Sequence, residues 1–472
     1  MKVKALSRSA AEYSRERAQD IHKVQRNLDP SLHPFEKARE YTRALNAVKV
    51  ERMFAKPFVG ALSGHADGVY CMAKHTSRLD TLISGSGDGG MTFHRTIAEK
   101  WSNRIIFPPY FHITQTILIP HSELRIWSLS DRQTTWSVAA HKGIVKGVCA
   151  SPITSHYLSC STDKTVKIWD GVSRDPVSTY VGKYAFSALS HHRNDATFAT
   201  GGSAVEIWDE NRAEPVHQFS WGADTINTVR FNQTETSVLA SCGTDRTIIL
   251  YDMRTSQPLA KLVMTLKTNA IAWNPMEAFN FTTANEDHNL YTFDMRKMDH
   301  ALNVYKDHVS AVLDVDYSPT GEHIVTGSYD RSLRIFASRG GHSTDIYHTK
   351  RMQRIFCVQF SMDSKYVISG SDDGNVRLWK ARASERMGVK DYRERNHLEY
   401  ADTLKKRYAH MPDIKRIDRH RHVPKAIKSA AATKRVMLDS RKQKEENLRR
   451  HSKPGTVERK AERKKAVVGV AK

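Results

Sequence analysis

The chain has 472 residues, a net charge of +22 and 39% hydrophobic residues, enough to bury a sizeable core. No apolar run of about 20 residues would cross a bilayer and no N-terminal run resembles a signal peptide; the five cysteines (Cys71, Cys149, Cys160, Cys242 and Cys357) make no CxxC pair, which excludes a disulfide scaffold or a zinc ribbon and predicts buried thiols in a reducing compartment. The charge is uneven: residues 1–58 carry +6, residues 59–379 carry −1 and the last 93 residues carry +17, so a neutral body bears cationic arms whose natural counterpart is a polyanion such as nucleic acid.

In chain order, Ser9-Ala10-Ala11-Glu12 fits a capping box and predicts a polar helix to about Asn27, ended by Leu28-Asp29-Pro30. A second helix is expected from near Pro34 through Asn46. Phe35, Ala38, Tyr41, Leu45 and Val48 would form its apolar stripe and dock on the propeller described next or on a partner. Residues 1–56 are therefore read as a helical extension.

From 57 to 379 the chain repeats. An Asp followed six residues later by an aromatic recurs at Asp163–Trp169, Asp245–Tyr251, Asp287–Phe293, Asp330–Phe336 and Asp373–Trp379. With Trp127 and Trp208 the aromatics number seven, spaced 39 to 43 residues apart, the period of β-propeller blades. The sixth unit is the cleanest: His308, the strand Val312–Tyr317, the turn Ser318-Pro319-Thr320-Gly321, the strand His323–Ser328, Asp330 and the strand Leu333–Phe336. It resembles the WD40 family, in which a turn His, a strand Ser or Thr, a turn Asp and a Trp form a buried polar network. That resemblance gives structural roles to His65, Asp88 and Trp127, to His141, Asp163 and Trp169, to Asp245 and Asp287, to His308 and Asp330, and to Asp373 and Trp379. Unit three is degenerate, with Gly202 in place of the Asp and no turn His; units four and five keep the Asp and lose the His. Pro57 to Leu62 is expected to supply the fourth strand of the last blade and close the ring.

One segment breaks the period. Trp127 follows Asp88 by 39 residues, not six. Deleting Gly90–Ser122 restores a close match to Ser371–Trp379. The segment falls in a two-residue hairpin turn, where long loops are uncommon. It reads as a retained intron or gene-model error, with a genuine binding loop as the rival.

Residues 380–472 form a basic, helix-favouring region. Tyr392, Leu398, Tyr400, Leu404 and Tyr408 have roughly helical spacing, Met411-Pro412 breaks it, and helix is favoured again from Lys425 to about Arg450. The candidates for RNA or ribonucleoprotein contact are Lys405, Lys406, Arg407, Lys415, Arg416, Arg419, Arg421 and Lys425. Arg449-Arg450, Arg459-Lys460 and Arg463-Lys464-Lys465 read as a two-part nuclear import signal. His410, His420 and His422 lack metal-ligand spacing. No phosphate-binding loop or HExxH motif is present, so neither catalysis, nor a metal, nor a cofactor is expected.

The segment Arg416-Ile417-Asp418-Arg419-His420-Arg421-His422-Val423-Pro424-Lys425, with Asn27–Pro30 and Pro34–Tyr41 near the N-terminus, resembles the SOF family (WD repeat and SOF domain-containing proteins). The resemblance covers nearly the whole chain except Gly90–Ser122. It implies a seven-bladed propeller with helical extensions, acting as a non-enzymatic scaffold in the nucleus and nucleolus. The implied partners are the U3 small nucleolar ribonucleoprotein, pre-ribosomal RNA on its way to 18S rRNA and other small-subunit processome proteins. A second resemblance concerns Tyr251-Asp252-Met253-Arg254 and Phe293-Asp294-Met295-Arg296, which are similar to the box that docks WD-repeat substrate receptors on cullin-type ubiquitin ligases. It implies Arg254 and Arg296 as contacts for a ligase adaptor. A third class, a reader of histone tails or other basic peptides, would need an acidic propeller face, which the near-neutral ring disfavours.

Overall fold

The computed structural model describes residues 35–75, 78–87, 122–221, 224–255, 257–453 and 455–471. The expected helix ending at Asn27, Asp88 and all of the inserted segment but Ser122 lie outside them. The described chain forms two compact units, one of residues 35–54 with 387–419 and one of residues 55–386 with 420–471.

The larger unit is the seven-bladed propeller expected from the period. Blades two to six are consecutive antiparallel sheets within residues 145–181, 188–219, 226–264, 268–306 and 312–347. Blade one joins Val69–Lys74, Thr81–Ser86, Ser122–Ser128 and Gln133–His141. Ser122, the last residue of the segment that breaks the period, is thus already strand, and Gly85 faces Leu124 in the ladder. Blade seven takes its fourth strand from Phe58–Ser63, paired with Asn375–Lys380. The first strands of successive blades adjoin all the way round, including those of blades one and seven, so no inner sheet edge is left open.

Local chemistry explains why each repeat makes a blade. The second strands are apolar and small on both faces and almost wholly buried, as in Thr81–Ser86 and Tyr366–Ser371, because each is covered by a neighbouring blade. Six first strands carry a register irregularity beside their first residue, for example between Val312 and Asp314, which sharpens the local twist. The turn into the third strand puts the residue after the Asp in the left-handed region: Lys164, Arg246, His288, Arg331 and Gly374 have φ between +63° and +72°. That conformation costs a non-glycine residue roughly 1 kcal/mol. The Asp offsets it by accepting the amide two residues on, as Asp330 does from Ser332 at 2.9 Å.

The smaller unit holds α1 (Glu36–Met53), α2 (Tyr392–Arg407) and α3 (Pro412–Arg419). Pro412 stands at the first helical position, where its missing N–H is not needed. Ala44 and Val48 of α1 are buried with Leu404 and Ile414, and Tyr41, Leu45, Tyr408, Met411 and Ile417 pack around them. The expected α1 stripe is therefore corrected at its start, because Phe35 (72% exposed) and Ala38 both face solvent. Its buried end meets the C-terminal flank. In the larger unit follow α4 (Lys425–His451), the single turn α5 (Glu462–Lys465) and a last strand, Val467–Ala471. That strand adds antiparallel to Gln257–Met264 and makes blade four five-stranded.

Candidate nucleic-acid and partner interface

The repeat residues build the frame. In blade two, His141 Nδ1 lies 3.1 Å from Asp163 and Nε2 2.8 Å from the Ser159 hydroxyl, which accepts the Trp169 indole N–H at 2.9 Å. His141 ends the fourth strand of blade one, so the network joins neighbouring blades. In blade one, His65 and Trp127 both meet Ser84, at 2.6 and 2.8 Å. In blade six, His308 reaches Asp330 at 3.0 Å and Thr326 at 2.7 Å, and Ser332 donates to Asp330 from both its amide and its hydroxyl. Burial works against charge on Asp330, but these donors and the nearby Arg334 outweigh it and hold the carboxyl far below its usual range. Burial also pushes the His308 imidazole down, so a neutral ring donates from Nδ1 to the carboxylate.

Blades without the turn His substitute for it. Asp245 accepts from the Thr247 amide and hydroxyl, Asp287 accepts from the Tyr291 hydroxyl, and Asp373 takes the Arg377 guanidinium, one contact being 3.1 Å. Trp379 still donates to Ser369 at 2.9 Å. In blade three, where Gly202 stands in for the Asp, a Cβ would meet the Ala185 carbonyl oxygen at 2.9 Å. Each of these carboxylates is engaged within its blade, as a structural role requires.

The basic candidates separate into two groups. The first is held by the protein's own acids and carbonyls. Lys405 bridges Glu51 and Asp402 at 2.7 and 2.6 Å; burial opposes the charge, but both acids hold the ammonium above its ordinary pKa. Arg407 meets Glu40 at 2.9 Å, and the hydrogen bond from Tyr408, then that of Arg407, lowers the Glu40 carboxyl. Arg421 donates from Nε to the Thr344 carbonyl and lies 3.6 Å from Asp345. The second group is exposed: Lys406, Lys415, Arg416, Arg419 and Lys425. Among the described residues no carboxylate lies within 4.0 Å of their charged atoms. On α3, Ile414 and Ile417 turn to the core, so helix geometry puts Lys415, Arg416 and Arg419 on the outer face.

The expected import residues lie on several elements. Arg449 and Arg450 end α4, and Arg459 and Lys460 are exposed on the connection to α5. Arg463, Lys464 and Lys465 lie in α5, where Arg463 accepts the Ala301 amide on its carbonyl at 3.0 Å and Lys465 ion-pairs with Glu445 and Glu462. The end of the basic tail is thus tied to the propeller, with Ala466 buried and Val467 and Val470 packed on the core of blades four and five. The signal for this was the apolar run Ala466-Val467-Val468-Gly469-Val470-Ala471 after a basic stretch, which sequence reasoning passed over.

Arg254 and Arg296 lie in the turns after the third strands of blades four and five, each with its amide on the preceding Asp at 3.0 Å. Both are exposed. The Arg296 guanidinium also grips Asp294 at 2.8 Å and stands 4.4 Å over the Phe279 ring. His420 and His422 are exposed, and the His422 carbonyl accepts from His348 Nε2 at 3.2 Å.

With this geometry in place, likeness to known proteins is informative. Residues 381–467 match the Sof1-like domain, which takes in α2 to α5 and the first residue of the added strand. WD domain, G-beta repeat matches cover residues 56–93, 132–170, 213–252, 300–336 and 341–380, skipping blades three and five, whose polar networks depart from the pattern. Protein SOF1 of Saccharomyces cerevisiae is 49% identical over 498 aligned residues, spanning 99% of this chain and 95% of that one. The chain belongs to the Sof1 family of WD-repeat proteins. The relatives named "DDB1- and CUL4-associated factor 13" from Xenopus laevis and Homo sapiens are each 48% identical, over 476 and 478 aligned residues and the whole of both chains.

Proposed function

We propose that this Sof1-family protein is a non-enzymatic scaffold of small-subunit ribosome assembly in the nucleolus. In this reading it joins the U3 small nucleolar ribonucleoprotein and helps pre-rRNA mature toward 18S rRNA. The propeller holds protein partners, and the outer face of the helical unit meets pre-ribosomal RNA. The functional division is a ring of residues 57–379 with extensions 1–56 and 380–472 on either side of it in sequence. One observation carries the reading: inside the segment that matches the Sof1-like domain, Lys406, Lys415, Arg416 and Arg419 are exposed without an internal counter-ion among the described residues. Desolvated phosphates are the natural match for such a set, because each neutralised phosphate releases counterions. Lys405, Arg407 and Arg421 support the geometry from within and contribute less.

The test is the triple variant Lys415→Ala, Arg416→Ala, Arg419→Ala in the full chain, measured for pre-rRNA binding against salt. Loss of three phosphate contacts lowers the slope of log K against log salt by about 2 to 3. An unchanged slope refutes the RNA assignment.

A second reading, adaptor-linked ubiquitin ligation, rests on the exposed Arg254 and Arg296 and on relatives whose name reads DDB1- and CUL4-associated. Arg254→Ala with Arg296→Ala separates the two. Loss of adaptor binding with rRNA maturation intact assigns these arginines to the second role.

A further inference from the structure

We propose that the outer half of α4 is a docking helix for a protein partner, and that the partner offers an apolar groove rimmed by acidic residues. The helix is 27 residues long, with nine lysine and arginine residues against three acidic ones. At 3.6 residues per turn, Ile427, Lys434, Met437, Leu438, Arg441 and Leu448 fall within an arc of roughly 100°. The first two positions of this stripe are already docked. Ile427 is 8% exposed. Lys434 donates to the His308 carbonyl at 2.8 Å in the field of Asp287, Asp307 and Asp330. The start of the stripe thus pairs a buried aliphatic side chain with a lysine that the propeller holds near three carboxylates.

Further along, the same stripe continues with no cover among the described residues. Met437 is 59% exposed, Leu438 50% and Leu448 60%. Lys465 touches the same side at Glu445 and leaves these three apolar side chains open. Large apolar residues on one face of a cationic helix fit a groove better than they fit a sugar–phosphate backbone, which has no use for methionine and leucine at helical spacing. The chemistry that holds Ile427 and Lys434 therefore specifies what should hold Met437, Arg441 and Leu448: an apolar groove flanked by carboxylates on another protein.

The test places a benzophenone photocrosslinker singly at Met437, Arg441 and Leu448 on the stripe, and at Val436, Gln443 and Asn447 on the far side, in the full chain in cells. The expected result is a nuclease-resistant adduct to one polypeptide, at least fivefold stronger from the stripe than from the far side, joined through a segment rich in acidic and apolar residues. A nuclease-sensitive adduct would make α4 an RNA contact and overturn the proposal. Equal yields from both sides, an adduct to a second copy of this chain, or no adduct would overturn it as well. As an independent arm, Met437→Glu with Leu448→Glu should reduce the crosslinked partner at least tenfold in co-purification, while Val436→Glu does not. A urea midpoint equal to wild type shows that the double variant is folded; if it is not, the crosslinking pattern of the otherwise unchanged chain decides alone.

Discussion

The same motif Asp should matter very differently in two blades, and the difference can be worked out in advance. In blade six, Asp330 is 4% exposed and accepts from His308, the Val309 amide, the Ser332 amide and the Ser332 hydroxyl. Asp330→Ala leaves three buried N–H donors without their acceptor, at about 1–3 kcal/mol each where water does not replace it. Such losses are not additive, and breaking a buried charged pair in other proteins costs roughly 3–5 kcal/mol. In blade four, Asp245 has no turn His, is half-buried and, among the described residues, accepts only from Thr247. Asp245→Ala should then cost about 1 kcal/mol. The assay is urea unfolding followed by the fluorescence of the buried Trp127, Trp169, Trp208 and Trp379, with both variants at pH 7.5. The predicted gap between them is about 2–4 kcal/mol. Equal losses would mean that the His–Asp contact between blades adds nothing, and the network account of ring cohesion would fall.

The pH dependence follows from the same contacts. Burial lowers the folded-state pKa of His308 and of His141, so the unfolded chain takes up their protons first. The urea midpoint should drop as pH falls below about 6.5, and less steeply in His308→Gln. Asp314 acts with the opposite sign: burial raises its carboxyl to about 6, so the ionised form is a burden above that pH. Asp314→Asn should unfold at higher urea than wild type at pH 8, with the gap closing below pH 6. Deleting residues 466–472 removes a four-pair ladder and the buried Ala466. Amide exchange at Thr265, whose N–H donates to the Ala466 carbonyl at 2.9 Å, should then accelerate at least tenfold, while Met264, whose amide donates to Arg246 within the blade, and the amides of blade one keep their rates.

Much of the ring was legible because its signals are local. The six-residue gap from Asp330 to Phe336 spans one hairpin, and the same gap recurs in four other units. The closing strand could be inferred because a ring with an open edge is implausible, and Phe58–Ser63 lies one residue from the expected Pro57–Leu62. What was not legible depends on distant pairs. Ala44 meets Leu404 and Ile414 across more than 350 residues of sequence, and periodicity says only that α1 has an apolar face. The choice of cover is made by complementarity that no single segment carries. The exposure of Phe35 shows the limit: it continues the period but lies beyond the reach of α2 and α3. The added strand was hidden for a related reason, since its partner edge Gln257–Met264 lies some 200 residues away.

The division of the basic residues changes how the charge should be understood. The +17 of the last 93 residues does not behave as one diffuse cationic arm. Lys405 and Arg407 close on Glu51 and Glu40, Lys434 sits over a propeller loop, and Lys306 draws Glu462 to 2.6 Å where the tail returns. These contacts use charge to hold the chain in place. Among the cations left exposed, those of α3 and those of α4 differ in company: those of α3 stand opposite a small core and have no exposed aliphatic neighbours on their own helix, while those of α4 are interleaved with Met437, Leu438 and Leu448. A polyanion rewards charge alone, and a protein groove rewards charge with apolar area. Two helices of one basic region are thus suited to two kinds of partner, and high salt should release contacts made by α3 far more readily than those made by α4.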